Sequence, residues 1–360
     1  MSGDLQPRCG LTGMQLQLGE ENLPDYLRSL GLLGPGEGAS VERAGDGNIN
    51  WVRRVRVSRK GSPGGRSWIV KQARPALERF PEYRVSTERI VFEHRYGERA
   101  RPFDADGVLP RVHAFDPEAR VLVLEDLGGA ERMDHALARG AELAEAAACL
   151  GAFLGRVHAG TREPGLANAF ANDAMRRLHG DHIFQLPLRE NDFPLPPGVL
   201  ARARALREDA ELVRLADAAY ARYLEPAGAL VHGDVQAGNV LLAASGPKLL
   251  DAEIAHVGDP AFDVGTLVAH LALPAAAEGR PSAALPAVEA AWSAYRVAHG
   301  PGAPPLADAL RYAGLELLRR TIGAARAAAA LSSDAGLAVL ARAEAWIRRP
   351  PADLASLRRG

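Results

Sequence analysis

The chain's most reactive stretch is VHGDVQAGNVLLAASGPKLLDAEIAHVGDPAFD, residues 231–263. Asp234 follows an apolar run, Asn239 comes five residues later, and a tight turn around Ser245-Gly246-Pro247 leads to Asp251 and Glu253. Two short strands, NVLL and KLLD, joined by that turn bring the Asp234–Asn239 loop next to the end of the strand that carries Asp251. Oxygen ligands then converge. Hard cations such as Mg²⁺ take carboxylate and amide oxygens together with phosphates, which suits an Asn/Asp pair. A further carboxylate, Asp234, can accept the proton of an attacking hydroxyl. Acids and Asn also favour turns for conformational reasons alone, but chance does not readily produce the ordered series H-G-D, four residues, N, strand, turn, strand, D-x-E.

The elements that must position these residues divide into two textures. Residues 21–33 carry Leu23, Tyr26, Leu27, Leu30 and Leu33 at helical spacing and end at Gly34-Pro35-Gly36. WVRRVRV (51–57) and SWIV (67–70) read as a hairpin, residues 86–100 as a helix, and VLVLEDL (121–127) as a buried strand running into Gly128-Gly129. The expected order before residue 128 is strand, strand, helix, strand. Beyond it the chain turns helical: Leu143, Ala147, Leu150, Leu154 and Val157 keep an amphipathic rhythm, and residues 200–224 and 308–330 show similar periodicity. The composition shift near Gly128 marks the boundary.

Composition excludes several classes. Lys+Arg 43 against Asp+Glu 44 leaves a net charge of -1 over 360 residues, which argues against a dedicated nucleic-acid binder. With 47% hydrophobic residues the chain can bury a sizeable core in about two domains. Cys9 and Cys149 are far apart and lack C-x-x-C spacing, so neither a disulfide framework nor a zinc site is suggested. Asp4 interrupts the N-terminus and no window approaches the roughly 20 apolar residues of a membrane span, which predicts a cytoplasmic protein. There is no G-x-x-x-x-G-K-[ST] sequence, so a P-loop enzyme is not supported.

The 231–263 segment resembles the aminoglycoside phosphotransferase-like branch of the protein-kinase-like superfamily, in which H-G-D-x-x-x-x-N takes the place of the H-R-D loop. The resemblance implies an α+β, two-lobed protein-kinase-like fold, with a small antiparallel-sheet N-lobe (1–127) and a larger, mainly helical C-lobe (128–360). It implies ATP and Mg²⁺ as cofactors, Asp234 as catalytic base, Asn239 and Asp251 as metal ligands, and Glu253 beside the metal. Asp263 in GDPAFDVG is expected to anchor the catalytic loop. In the N-terminal half, Gly45 and Gly47 of GDGNIN allow close approach of backbone amides to phosphates, with Asn48 also expected at the nucleotide, and Lys71 at the end of SWIVK can set a fixed cation against them, with Glu93 rather than Glu88 expected to hold it. The connector LEDLG is expected to meet adenine at Glu125 and Leu127.

GDGNIN, VKQARP (70–75), STERIVFE (86–93), LRRTIG (318–323) and, more loosely, DHIFQLP (181–187) look like segments of the methylthioribose kinase family. That family transfers the γ-phosphate of ATP to the anomeric hydroxyl of 5-methylthioribose in methionine salvage. The resemblance implies that Arg319 and Arg320 bind the sugar and stabilise the transferred group, a role that suits cations placed opposite the nucleotide. Adjacent helical residues lie about 100° apart, so one of the two is expected to point straight at the site. The chain departs from the family at Val235-Gln236-Ala237-Gly238-Asn239, where L-H-T-G-S is usual, and at Ala252, where Pro is usual. These departures keep other acceptors open: 5-deoxyribose or another pentose, or an aminoglycoside.

An aminoglycoside-type kinase would line its acceptor site with carboxylates, whereas Arg311, Arg319, Arg320 and Arg326 form a basic patch in which Glu316 is the only acid between 309 and 333. A choline-type kinase would want aromatic residues and acids around a quaternary cation. A nucleotide-binding scaffold without activity would be expected to have lost Lys71, Asp234, Asn239 or Asp251, and all four are present. His113, His158, His182, His256 and His270 show no metal spacing and read as structural or surface residues. The expected partner is a small sugar; nucleic acid and membrane are not expected, and the pattern admits a homodimer without requiring one.

Overall fold

The computed structural model describes residues 16–45, 49–58, 65–76 and 84–359. The chain divides into two compact units, residues 1–90 with 112–126, and residues 91–111 with 127–360.

In the first unit, helix α1 (Leu23–Ser29) precedes strands β1 (Gly38–Arg43), β2 (Trp51–Ser58) and β3 (Ser67–Gln72). Helix α2 (Arg89–Ala100) begins here and passes into the second unit, and β4 (Val112–Asp116) and β5 (Val121–Glu125) complete the sheet. The strand order is β1-β2-β3-β5-β4, every pairing antiparallel. Three strands thus precede the helix and two follow it, against the two and one expected. β1 is a polar edge strand without a buried residue, and β4 has none either, so neither carries the apolar alternation that betrays a strand.

Side chains alternate across a strand. Trp51, Val55, Val57, Trp68, Val70, Val121 and Val123 accordingly share one buried cluster with Leu23 and Leu27 of α1. Lys71 falls between Val70 and Gln72 and so faces the other side of the sheet, opposite Val52 and Leu122 in register. Arg89, fully buried, donates to Asn50 Oδ1 from Nε (3.1 Å) and Nη2 (2.8 Å), and to the Ser86 and Arg74 carbonyls. It ties down the chain just before β2.

The second unit adds β6 (Glu131–Arg132), α3 (Met133–Ala138), α4 (Ala144–Gly160), α5 (Leu166–Ala169), α6 (Asp173–Gly180), α7 (Pro197–Glu208) and α8 (Ala210–Tyr223). It continues with β7 (Ala229–Val231), β8 (Val240–Ala243), β9 (Gly246–Leu249), β10 (His256–Gly258), α9 (Ala261–Ala277), α10 (Leu285–His299), α11 (Leu306–Ile322), α12 (Ser333–Arg348) and α13 (Leu354–Arg359). β8 and β9 form the expected hairpin, with β6 paired to β8, while β7 pairs with β10. The periodic stretch 200–224 is two helices, broken where Asp209 caps α8 by accepting from the Leu212 N–H at 2.9 Å. The stretch 308–330 is helical only to Ile322. Its Ala-rich end is a turn and a short 3₁₀ segment, Ala328–Ala330, because the chain at Gly323 is extended and the Ala327 N–H returns to the Arg320 carbonyl. Among the described residues, no helix is long and apolar enough to cross a membrane.

α4 packs on α10 through glycine. A Cβ on Gly151 would run into the Ala291 carbonyl, a backbone atom that cannot swing aside. Gly151→Ala should therefore push the two helices apart and lower the unfolding free energy by roughly 1–3 kcal/mol, read from urea denaturation. An unchanged midpoint would show that the contact yields without cost.

Candidate active site

β7 delivers the chain into His232-Gly233-Asp234, and a buried carboxylate from α9 shapes that turn. Asp263 has no exposed surface; its Oδ2 accepts from the His232 N–H (2.7 Å) and its Oδ1 from the Gly233 N–H (2.9 Å). His158 Nε2 lies 3.1 Å from Oδ2 and its Nδ1 3.2 Å from the Tyr295 hydroxyl. Burial alone would raise this carboxyl, but His158, His232 and the loop amide hold it below its ordinary value. An ionised carboxylate can only accept, so His158 carries its proton on Nε2. Gly233 adopts φ +84°, where a Cβ would also meet the Ile254 carbonyl at 2.6 Å.

Asp234 is held by its neighbours. Its Oδ2 accepts from Gln236 Nε2 and Asn239 Nδ2, both at 2.8 Å, and Asn239 Nδ2 also reaches the Asp234 carbonyl at 3.0 Å. With its amide nitrogen spent this way, Asn239 has Oδ1 as the side-chain atom that could serve a cation. The Leu250 N–H donates to the Asn239 carbonyl at 2.8 Å, which sets Asp251 beside this loop. Asn172 Nδ2 holds the following residues through the Glu253 carbonyl at 2.8 Å.

Carboxylate oxygens of Glu93, Asp251 and Glu253 lie within 4.8 Å of one another. Glu93 and Glu253 are buried and Asp251 is exposed. Three hard oxygen donors at this spacing fit a divalent cation such as Mg²⁺. Asp251 sits at φ +65°, a left-handed conformation uncommon for residues other than glycine. Asp251→Ala should thus be about 1 kcal/mol less stable than Asp251→Gly, since both lose the carboxylate and only alanine retains a Cβ. Thermal melts of the two variants side by side check this, and equal stability would count against backbone strain.

The arginines are placed differently from expectation. Arg320 reaches the 232–239 loop directly at Gln236, and Arg319 approaches it only through His179. Arg319 Nη1 donates to His179 Nε2 at 2.9 Å, and that nitrogen lies 3.7 Å from Asp234 Oδ1. Arg320 Nη2 donates to Gln236 Oε1, and its Nε to Glu316 Oε1 at 3.0 Å. Glu316 Oε2 is 3.4 Å from Arg319 Nη1. Glu316 precedes the pair by three and four residues, so one buried carboxylate draws both long side chains to one face despite their angular offset. The result is a linked series, Asp234, Gln236, Arg320, Glu316, Arg319 and His179, whose last member comes back to within 3.7 Å of Asp234 without a hydrogen bond to it. The basic patch shrinks accordingly, because Glu316 takes charge from both arginines and Arg311 is engaged with Asp308 (3.6 Å) and the Ile347 carbonyl (3.3 Å). His179, Gln236 and Glu316 had no motif to mark them; the one signal was that Glu316 stands alone among arginines.

Burial, reinforced by Arg319, pushes His179 down to about 4 from an ordinary 6.5. Burial likewise lowers His270, 3.2 Å from Glu316, and His256, the latter to about 3. These rings are neutral in the folded protein and take up protons on unfolding below pH 6.5. The unfolded state then binds more protons, so stability should fall as pH drops from 6.5 towards 4. Glu316 and Asp263, both depressed, add their loss only at lower pH. Urea midpoints at pH 7.5, 6 and 5 should decline in that order; a flat series would mean the rings are charged when folded.

Of the residues expected at the nucleotide, Gly47 and Asn48 lie outside the described residues. Gly45 follows β1 at φ +68°, Lys71 is buried in β3, and Glu125 ends β5 opposite Trp68. Asp126 is paired with Arg54 at 2.8 Å. The Leu127 carbonyl accepts from the Ala130 N–H at 3.2 Å across a turn through Gly128. Glu88, the acid passed over, pairs with Arg120.

Residues 40–301 match the model of the phosphotransferase enzyme family. The chain belongs to this family. Methylthioribose kinase from Klebsiella pneumoniae (strain MGH 78578) is 31% identical over 266 residues, 68% of this chain and 62% of that protein. The chain thus spans under two thirds of that relative's length. Methylthioribose kinase from Pectobacterium carotovorum subsp. carotovorum is 30% identical over 356 residues, covering 84% of this chain and 85% of that one. Among solved structures, a choline/ethanolamine kinase family protein from Mesorhizobium loti superposes with a TM-score of 0.53 at 19% identity, covering 94% of this chain and 99% of that chain. That likeness shows the fold, which is α+β, two-lobed and protein-kinase-like, as in other phosphotransferases of the family.

Proposed function

We propose that this phosphotransferase is an ATP-dependent cytoplasmic kinase for a small sugar, with the anomeric hydroxyl of 5-methylthioribose as acceptor. The observation that supports the reading is the series of side chains Gln236, Arg320, Glu316, Arg319 and His179 that begins and ends beside Asp234 and keeps two guanidinium groups near its carboxylate. Similarity to methylthioribose kinases supports the choice of sugar. Glu316, already matched to both arginines, offers no spare charge to an ammonium group, which weighs against aminoglycoside and choline acceptors.

Among the described residues Asp234 Oδ1 accepts no hydrogen bond, whereas Oδ2 accepts two. Oδ1 is therefore the oxygen that receives the acceptor's proton. The sugar oxygen then bonds to the γ-phosphorus as the bond to the bridging oxygen breaks and ADP departs. Arg319 and Arg320 offset the charge spread over the phosphoryl oxygens. Asn239, Asp251 and Glu253, with Glu93 beside them, would hold Mg²⁺, whose charge would screen the phosphates. In this reading residues 1–127 bind the nucleotide through Gly45, Lys71, Glu125 and Leu127.

ADP release should be strong with 5-methylthioribose, weaker with 5-deoxyribose and ribose, and absent with kanamycin-like aminoglycosides and choline. Turnover with an aminocyclitol and none with any sugar would sink the assignment. Asp234→Asn should cut kcat by at least about 100-fold, the lower end expected for a lost general base, while leaving nucleotide affinity nearly unchanged.

A further inference from the structure

Asp234 lies close to two arginines and touches neither of them. In each direction an uncharged side chain intervenes: His179 between Asp234 and Arg319, Gln236 between Asp234 and Arg320. A guanidinium in direct contact with a carboxylate forms two parallel hydrogen bonds and consumes its lone pairs. Such a pair would close Oδ1 to an incoming hydroxyl and remove the arginine from the phosphoryl group.

The polarity of both intermediates is fixed by their partners. Arginine can only donate, so His179 Nε2 is an acceptor and its proton resides on Nδ1, a buried nitrogen without a hydrogen-bond partner among the described residues. Leaving a buried donor unmet is unfavourable, and the ring tolerates it while keeping Nε2 on Arg319. Gln236 is oriented the same way: its amide nitrogen serves Asp234 and its oxygen serves Arg320. The segment after α6 is a single π-helical turn, Asp181–Gln185, the type of irregularity often found at functional sites. Exposed His182, three residues beyond His179, also feels the Arg319 charge.

We propose that His179 and Gln236 are positioning residues, neutral spacers that hold Arg319 and Arg320 beside Asp234 without letting either guanidinium pair with it. This rests on the kinase reading above. His179→Leu and Gln236→Met, apolar and similar in size, should each lower kcat by roughly 10- to 100-fold, with KM for ATP within about twofold, the scale expected when catalytic groups are misplaced. His179→Gln, whose amide oxygen can accept from Arg319, should recover most of that loss. In an Arg319→Met background His179→Leu should cost less than about twofold more, and Gln236→Met likewise in Arg320→Met, because the paired residues act as one unit. Wild-type kcat in either apolar variant, or an undiminished loss in the arginine-less background, overturns the proposal. If no sugar is phosphorylated the kinase reading fails separately, and the ¹⁵N spectrum of histidine-labelled protein still reads the link. His179 should appear as the Nδ1–H tautomer and lose that preference in Arg319→Met; an Nε2–H tautomer in the wild type overturns the spacer role.

Discussion

The site depends on one carboxylate that does no chemistry. Asp263, without exposed surface, accepts two successive backbone N–H groups of the turn that presents Asp234. Burying a charge is unfavourable unless it is paired and hydrogen-bonded, and here His158 and two amides satisfy it. Because α9 is buried along most of its length, the anchor is as rigid as the core around it. The loop inherits that rigidity.

Glu316 is a second buried carboxylate with a different task. It gathers Arg319 and Arg320 from adjacent helical positions onto one face and balances much of their charge. Two guanidinium groups alone would repel each other and tend to collapse onto Asp234. With Glu316 behind them and His179 and Gln236 in front, they stay separate from Asp234. The chain's near-neutral charge thus hides a local alternation of acid and base.

Much of the site was legible because it is local in sequence. Asp234, Asn239 and Asp251 lie on one loop and one hairpin, so spacing alone brings them together, and β8 and β9 appear where the apolar runs and the Ser245-Gly246-Pro247 turn placed them. β1 and β4 leave no mark in the residue pattern, since edge strands need no buried alternation. The periodic stretch 308–330 outruns its helix, as alanine favours a helix wherever nothing opposes it, whereas the Ala327 N–H and the Ala325 carbonyl are engaged by Arg320.

Taken alone, the order of residues determined which groups are candidates for the site: a carboxylate, an amide and further acids at a spacing that suits phosphoryl transfer, followed by a pair of arginines. Tertiary structure decided how those charges are kept apart. His179 and Glu316 lie 55 and 82 positions from Asp234 along the chain, and their types are ordinary. Hydrogen bonding and burial act through space, so only the packing of α6, α9 and α11 around the loop gives these residues their roles.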